Sequence, residues 1–192
     1  MRWLAGVAAI IAAVVDGFYY GFVSHQDGHD PLGWRVAFVA TFIALLAITA
    51  ALSTRASATT WRPALLALSA IGLLSMGFIG IFSIGLPLLI AGALAFVALM
   101  FSLAASRQPA GILKAGAGGL LALAIFLGGF EATEHAIGCP AKGVETGSGS
   151  GFLSGPYHYT CVNGKLTVYP GACNSGGATV DDSGNVISVS TC

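Results

Sequence analysis

Apolar residues fill the first two-thirds of this chain in long blocks separated by short polar clusters, and beyond position 138 they give way to alternating segments. Trp3 to Val23 is the first block, interrupted only by Asp16. The cluster S-H-Q-D-G-H-D-P-L-G follows, rich in helix breakers, and Trp34 to Leu52 is the second block. Pro63 to Ser106 carries no charge at all. As one helix it would extend about 66 Å, twice the roughly 30 Å of a bilayer's hydrocarbon core. It is therefore expected to fold back once, at Ser83-Ile84-Gly85-Leu86-Pro87, because Gly suits the end of one helix and Pro the first turn of the next. Lys114 to Ile137 supplies a fifth block. Since about 20 apolar residues suffice to cross a membrane, the pattern predicts spans over 3–23, 34–52, 63–84, 86–106 and 115–137. The first, with Arg2 ahead of an apolar core, resembles a signal peptide in outline but is expected to remain as the first helix.

The remainder, 139–192, has a different grammar. Positions 143–155 are rich in Gly and Ser and are expected to form a flexible linker. Y-H-Y-T-C-V, Asn163-Gly164 and K-L-T-V-Y-P then make a strong hairpin signal, because both turn positions require positive φ. Pairing across that turn places Tyr157, Tyr159, Cys161, Leu166 and Val168 on one face and sets His158 opposite Tyr169. A second hairpin, turning at Ser183-Gly184, groups Ala178, Val180, Ile187 and Val189.

Composition sharpens this division. The chain is 56% hydrophobic and 8% charged, against about 25% charged in a soluble domain. The predicted class is an all-α integral membrane protein with a five-helix transmembrane domain over 1–138. The net charge of zero points to no nucleic-acid partner. Arg2, Arg55, Arg62, Arg107 and Lys114 fall at the N-terminus and in the second and fourth connections, so the positive-inside bias predicts a cytoplasmic N-terminus and an outer C-terminus. All eight acidic residues and all four histidines map to the outer half under that arrangement. Cys139, Cys161, Cys173 and Cys192 all follow the fifth helix, where an oxidising compartment would preserve disulfides. A segment of roughly 50 residues buries too little apolar area to be stable alone, and a disulfide closing about 20 residues contributes about 3 kcal/mol in the chain-entropy model. The expectation is a small disulfide-stapled β-hairpin domain outside the plasma membrane, with three cysteine pairings open.

Three features carry candidate chemistry. Asp16 lies within an apolar span, where an acid faces other helices or a wet cavity and is a candidate proton or cation site. The first outer loop offers His25, Asp27, His29 and Asp30, and the fifth helix offers Glu131, Glu134 and His135 at i, i+3 and i+4, on one face. Imidazole and carboxylate suit a transition metal ion, so His25, His29, Glu131, Glu134 and His135 form a candidate metal set; a solvated rim at headgroup level is the plainer account of the same residues. A pocket shared by Asp16 and the Glu131–His135 face is expected if the first and fifth helices bring their outer ends together. Haem fits less well, since neither His25 nor His135 lies within an apolar span. Small residues such as Ser69, Gly72, Gly77, Gly116, Gly119, Gly128 and Gly129 mark faces where helices pack closely, within the bundle or against another subunit. These features leave two functional expectations. One is a non-enzymatic accessory or assembly subunit with membrane partners or copies of itself. The other is a metal- or proton-handling protein with its site at the outer membrane face.

Overall fold

The computed structural model describes residues 2–24, 33–55, 60–106, 109–134, 136–151, 153–171, 177–180 and 186–190. Within them lie five helices, α1 (Arg2–Ser24), α2 (Gly33–Ser53), α3 (Arg62–Ile79), α4 (Gly85–Ser106) and α5 (Pro109–Glu134). Five strands follow: β1 (Val144–Ser150), β2 (Pro156–Val162), β3 (Lys165–Pro170), β4 (Gly177–Val180) and β5 (Val186–Ser190). All five helices are long and apolar enough to cross a membrane. The chain divides into two compact units, Met1–Gln26 with Val39–Leu127, and Asp27–Phe38 with Gly128–Cys192. The second unit thus includes the start of α2 and the end of α5 as well as the strands.

In the helical unit the fold-back between α3 and α4 occurs where Gly and Pro predicted it, but the turn begins earlier. Helix α3 stops at Ile79, the backbone N–H groups of Gly80 and Gly85 donate to Met76 O (2.9 Å) and Gly80 O (2.7 Å), and Pro87 sits in the first turn of α4. A Cβ on Gly85 would run into the Gly77 and Gly80 backbones, so no larger residue fits there. Helix α5 also differs from its predicted bounds. It begins at Pro109, which tolerates the first helical position because its missing N–H would have no partner there, so Lys114 is a helical residue and not part of a connection. Between α2 and α3, Arg62 donates from Nε to Ser53 O (2.9 Å) and from Nη2 to Arg55 O (3.2 Å), satisfying carbonyls at the end of α2.

Small residues make up much of this unit's interior, beside larger ones such as Ile43, Leu46, Leu66, Leu73 and Leu88, and many large side chains face outward. Ala8, Ala12, Ala50, Ala70, Ala91 and Ala95 are fully buried, while Trp3, Phe18, Phe78, Phe82, Leu113 and Leu120 are exposed. Helix α4 packs along α3 and α1, and Ala5, Leu66, Ala67, Ala98, Leu99 and Ala115 join α1, α3, α4 and α5 in one cluster. Glycines supply the close approaches: Gly72 lies against Leu46, Gly92 against Leu74, and Gly118 against the Ala64 carbonyl. Gly116, in contrast, meets nothing within 4 Å. The buried hydroxyls of Thr49, Ser53 and Ser69 each donate to the carbonyl three residues back, at 2.9, 2.6 and 3.1 Å, so no hydroxyl of the three needs a partner from another helix.

In the second unit β1, β2 and β3 form an antiparallel sheet in that order, and β4 pairs with β5 in a separate ribbon. The first hairpin follows its sequence signal. Asn163 (φ 48°) and Gly164 (φ 80°) make the turn, Cys161 pairs with Leu166 and Tyr159 with Val168. Tyr157, Tyr159 and Cys161 are buried, with Leu166, Val168, Ile137 and Cys139 packed against them. On the other face the His158 and Tyr169 rings stack at 5.0 Å. Of the three cysteine pairings, the structure contains Cys139–Cys161, with a Cα–Cα distance of 5.4 Å. Cys173 and Cys192 lie outside the described residues, as does the Ser183-Gly184 turn. The β4–β5 register slips between Thr179 and Val180, with Val180 opposite Val186 and Thr179 opposite Ser188, which leaves Ile187 without a single partner.

The Gly/Ser segment is a correction to the sequence reading. Val144–Ser150, expected as part of a flexible linker over 143–155, is strand β1 and pairs with β2 along its whole length. Its composition has a steric cause. Gly147 stands opposite Tyr159 and Gly149 opposite Tyr157, and a Cβ at either glycine would overlap the tyrosine ring facing it. The tyrosines lie across the small strand and cover its backbone, an arrangement that compensates glycine's poor strand propensity.

Candidate functional site

The C-terminal end of α5 gathers the polar chemistry of the second unit. Glu131 and Glu134 stand one turn apart there, against the helix dipole, which disfavours negative charge at a C-terminus by about 0.3–1 kcal/mol per group. Hydrogen-bond donors from the β1–β2 connection answer both. The loop is closed by Gly151 N–H donating to Gly155 O at 3.0 Å, with Gly155 in the left-handed region (φ 74°). That closure turns two successive backbone N–H groups toward the helix: Leu153 N donates to Glu131 Oε2 (3.2 Å) and Ser154 N to Glu131 Oε1 (3.0 Å). Ser154 Oγ donates to Glu134 Oε2 at 2.9 Å. Glycine at position 151 leaves room for the Glu134 carboxylate, which a Cβ there would displace.

Glu134 is completely buried, and its Oε1 has no hydrogen-bond donor among the described residues. Its backbone carbonyl accepts from the Tyr157 hydroxyl at 3.0 Å. Arg35, near the start of α2, also hydrogen-bonds the Tyr157 hydroxyl. Burial pushes the Tyr157 hydroxyl above the usual phenol range, and Glu134 adds to the rise while Arg35 opposes it. Beside this cluster Phe38 and Phe130 meet edge to face at 5.5 Å, and Phe38 fills the space over Gly129.

Of the sequence-predicted candidates, Glu131 and Glu134 are therefore brought together, and each already has a structural role in holding the β1–β2 loop. His25, Asp27, His29, Asp30 and His135 lie outside the described residues. Among the described residues no three of His, Cys, Asp and Glu gather around one point. Asp16 belongs to the helical unit, where its Oδ1 is buried without a hydrogen-bond partner among the described residues. The sequence reading did not single out Arg35, Gly151, Ser154 or the hydroxyl of Tyr157. One signal was present: a tyrosine on a buried face needs a partner for its O–H, and Tyr157 is on that face.

Comparison of the chain with protein families, with characterised proteins and with solved structures finds no match in any of the three.

Proposed function

We propose that this is a multi-pass plasma-membrane protein, N-terminus cytoplasmic, that presents its disulfide-stapled sheet outside the membrane as an accessory or assembly subunit. The observation that carries the proposal is the mounting of the sheet. The paired N–H groups on Glu131, the Ser154–Glu134 bond and the Tyr157–Glu134 bond tie the strands and their loop to the last turns of one apolar helix, and Cys139–Cys161 ties them to the segment just beyond it. A sheet serving as a loose tail has no use for four ties, whereas one that must meet a partner in a set orientation gains affinity from being held in advance. The exposed large apolar side chains of the helices and the clustering of Lys and Arg at one set of helix ends support the membrane and orientation parts. Strand β3 lies at the edge of the sheet, where a partner strand can add. A photo-crosslinking residue at the exposed Thr167 in intact cells tests this. One discrete adduct, with another membrane protein or a second copy and lost in Cys161→Ser, is expected. A full-length protein that yields no adduct and purifies as a monomer contradicts it.

A second function, proton or cation handling, is favoured by two buried carboxylate oxygens, Asp16 Oδ1 and Glu134 Oε1, that have no donor among the described residues. Such oxygens cost about 1–3 kcal/mol each if they stay unpaired, and a proton or cation relieves that cost. Elemental analysis of the detergent-purified chain, with Asp16→Asn and Glu134→Gln alongside, tests it. Stoichiometric metal lost in either variant would move the assignment to this function, and metal-free protein with unchanged proton uptake in both variants would remove it.

A further inference from the structure

From Pro31 to Phe130 the sequence contains no acidic residue, yet this stretch includes Arg35, Arg55, Arg62, Arg107 and Lys114. The helical unit's single acid, Asp16, is no counter-ion for Lys114. Ala5 of α1 clusters with Ala115 of α5, and Asp16 lies eleven residues farther along α1, about 16 Å at 1.5 Å per residue.

Lys114 stands at a groove between α3 and α5 with a volume of about 280 Å³. Ala64, Leu65 and Leu68 line it from one side, Ala117 and Leu121 from the other. Its floor is the close approach of Gly118 to the Ala64 carbonyl. The lysine is held over this groove: Nζ lies 5.4 Å from the centre of the Trp61 ring and donates to Thr60 O at 3.2 Å. Trp61 is itself exposed beside the groove, as tryptophans are at the membrane–water boundary.

A fixed cation without a counter-charge among the described residues, next to a slot walled by hydrocarbon, calls for a ligand with an anionic head and an apolar chain. We infer that the α3–α5 groove is a binding site for an anionic phospholipid, the acyl chain lying along Leu65, Leu68 and Leu121 and the phosphate meeting Lys114 beside Trp61. Basic pockets between transmembrane helices take anionic headgroups for the same reason. An apolar helix of another protein would cover the groove but leave the cation unpaired. The inference rests on the proposed membrane insertion, and that part is tested separately by whether the chain stays with carbonate-washed membranes.

The experiment is binding of phosphatidylglycerol and phosphatidylcholine to the full chain in mild detergent, read by native mass spectrometry. Wild type should retain phosphatidylglycerol preferentially. Lys114→Gln should weaken that retention about fivefold, one cation's share at an anionic surface, and leave phosphatidylcholine unchanged, while Lys114→Arg keeps the preference. Ala117→Phe, at an exposed position that projects into the groove, should displace the lipid without removing the charge. Equal retention of the two lipids by wild type, or an unchanged preference in Lys114→Gln, overturns the site. So does inorganic phosphate competing as well as phosphatidylglycerol, which would mean that the lysine reads a free anion. A chain released by carbonate overturns the membrane proposal itself.

Discussion

The two units solve the same problem with different distributions of size. In the helical unit alanines and glycines share the interior with Ile43, Leu46, Leu66, Leu73 and Leu88, while many other large side chains face outward, so cohesion is spread over many contacts. In the sheet unit Tyr157, Tyr159 and Cys161 point inward, and Gly149 and Gly147 stand opposite the two tyrosines because the rings need that space. A small apolar core backed by the Cys139–Cys161 disulfide and a few charge-assisted hydrogen bonds has little redundancy. The helices are therefore expected to tolerate single changes that the sheet does not.

The largest expected difference comes from Cys161→Ser. Cys161 is fully buried, and its disulfide closes a loop with a sequence separation of 22, which the chain-entropy model values at about 3 kcal/mol. Limited proteolysis of spheroplasts should degrade the sheet unit of this variant and leave the five helices in the membrane fraction. Equal protease resistance in mutant and wild type would remove the contrast between the units.

Gly147→Val comes next. Valine is the better strand residue, so propensity alone predicts stabilisation. The collision with Tyr159 predicts instead a loss of about 1–3 kcal/mol, the usual cost of overpacking. A urea midpoint for the sheet unit that moves downward supports the steric account, and one that moves upward contradicts it.

These two positions also show how far the sequence could be read. Alternation and the Asn163-Gly164 pair were sufficient for β2 and β3, because a period of two and a turn needing positive φ are local properties. β1 was not legible, since Gly and Ser in isolation indicate flexibility and their strand role depends on two tyrosines about ten residues later. The five helices are legible from apolar length, whereas α5 starts at Pro109, ahead of the span predicted from position 115, because a lysine near the end of an apolar run has the look of a boundary and the helix continues past it. At the candidate site Glu131 and Glu134 were recognised as neighbours by their helical spacing. Their acceptor roles depend on Leu153 and Ser154, some 20 residues on, and the part played by Arg35 depends on chain still more distant, so neither has a local signature.

Tyr157→Phe tests the polar mounting at smaller cost. It keeps the ring over Gly149 and removes the hydroxyl that donates to Glu134 O. A loss of about 1 kcal/mol is expected, read as a lower urea midpoint of the sheet unit; no change would mean that the hydroxyl contributes nothing to holding the strands. The same hydroxyl gives the smallest effect, a pH dependence. Its pKa is raised in the folded state by burial and by Glu134, so folding favours the neutral phenol. That contribution is complete below the unfolded value of about 10 and falls away as pH rises from there through the folded value. Wild type should lose sheet stability over that alkaline range more steeply than Tyr157→Phe, and parallel curves would contradict the assignment.

The most direct test of the account is the redox state and sidedness of Cys139 and Cys161 in intact cells. A membrane-impermeant maleimide, applied before and after treatment with an impermeant phosphine reductant, reports both, read on a variant in which Cys173 and Cys192 are replaced by serine. No labelling before reduction and labelling of both cysteines after it is the expected result, because the disulfide that mounts the sheet on α5 forms where oxidised thiols persist. Labelling without reduction would show that the sheet is not stapled in the cell, and thiols that stay unlabelled until the membrane is permeabilised would place the unit on the cytoplasmic side.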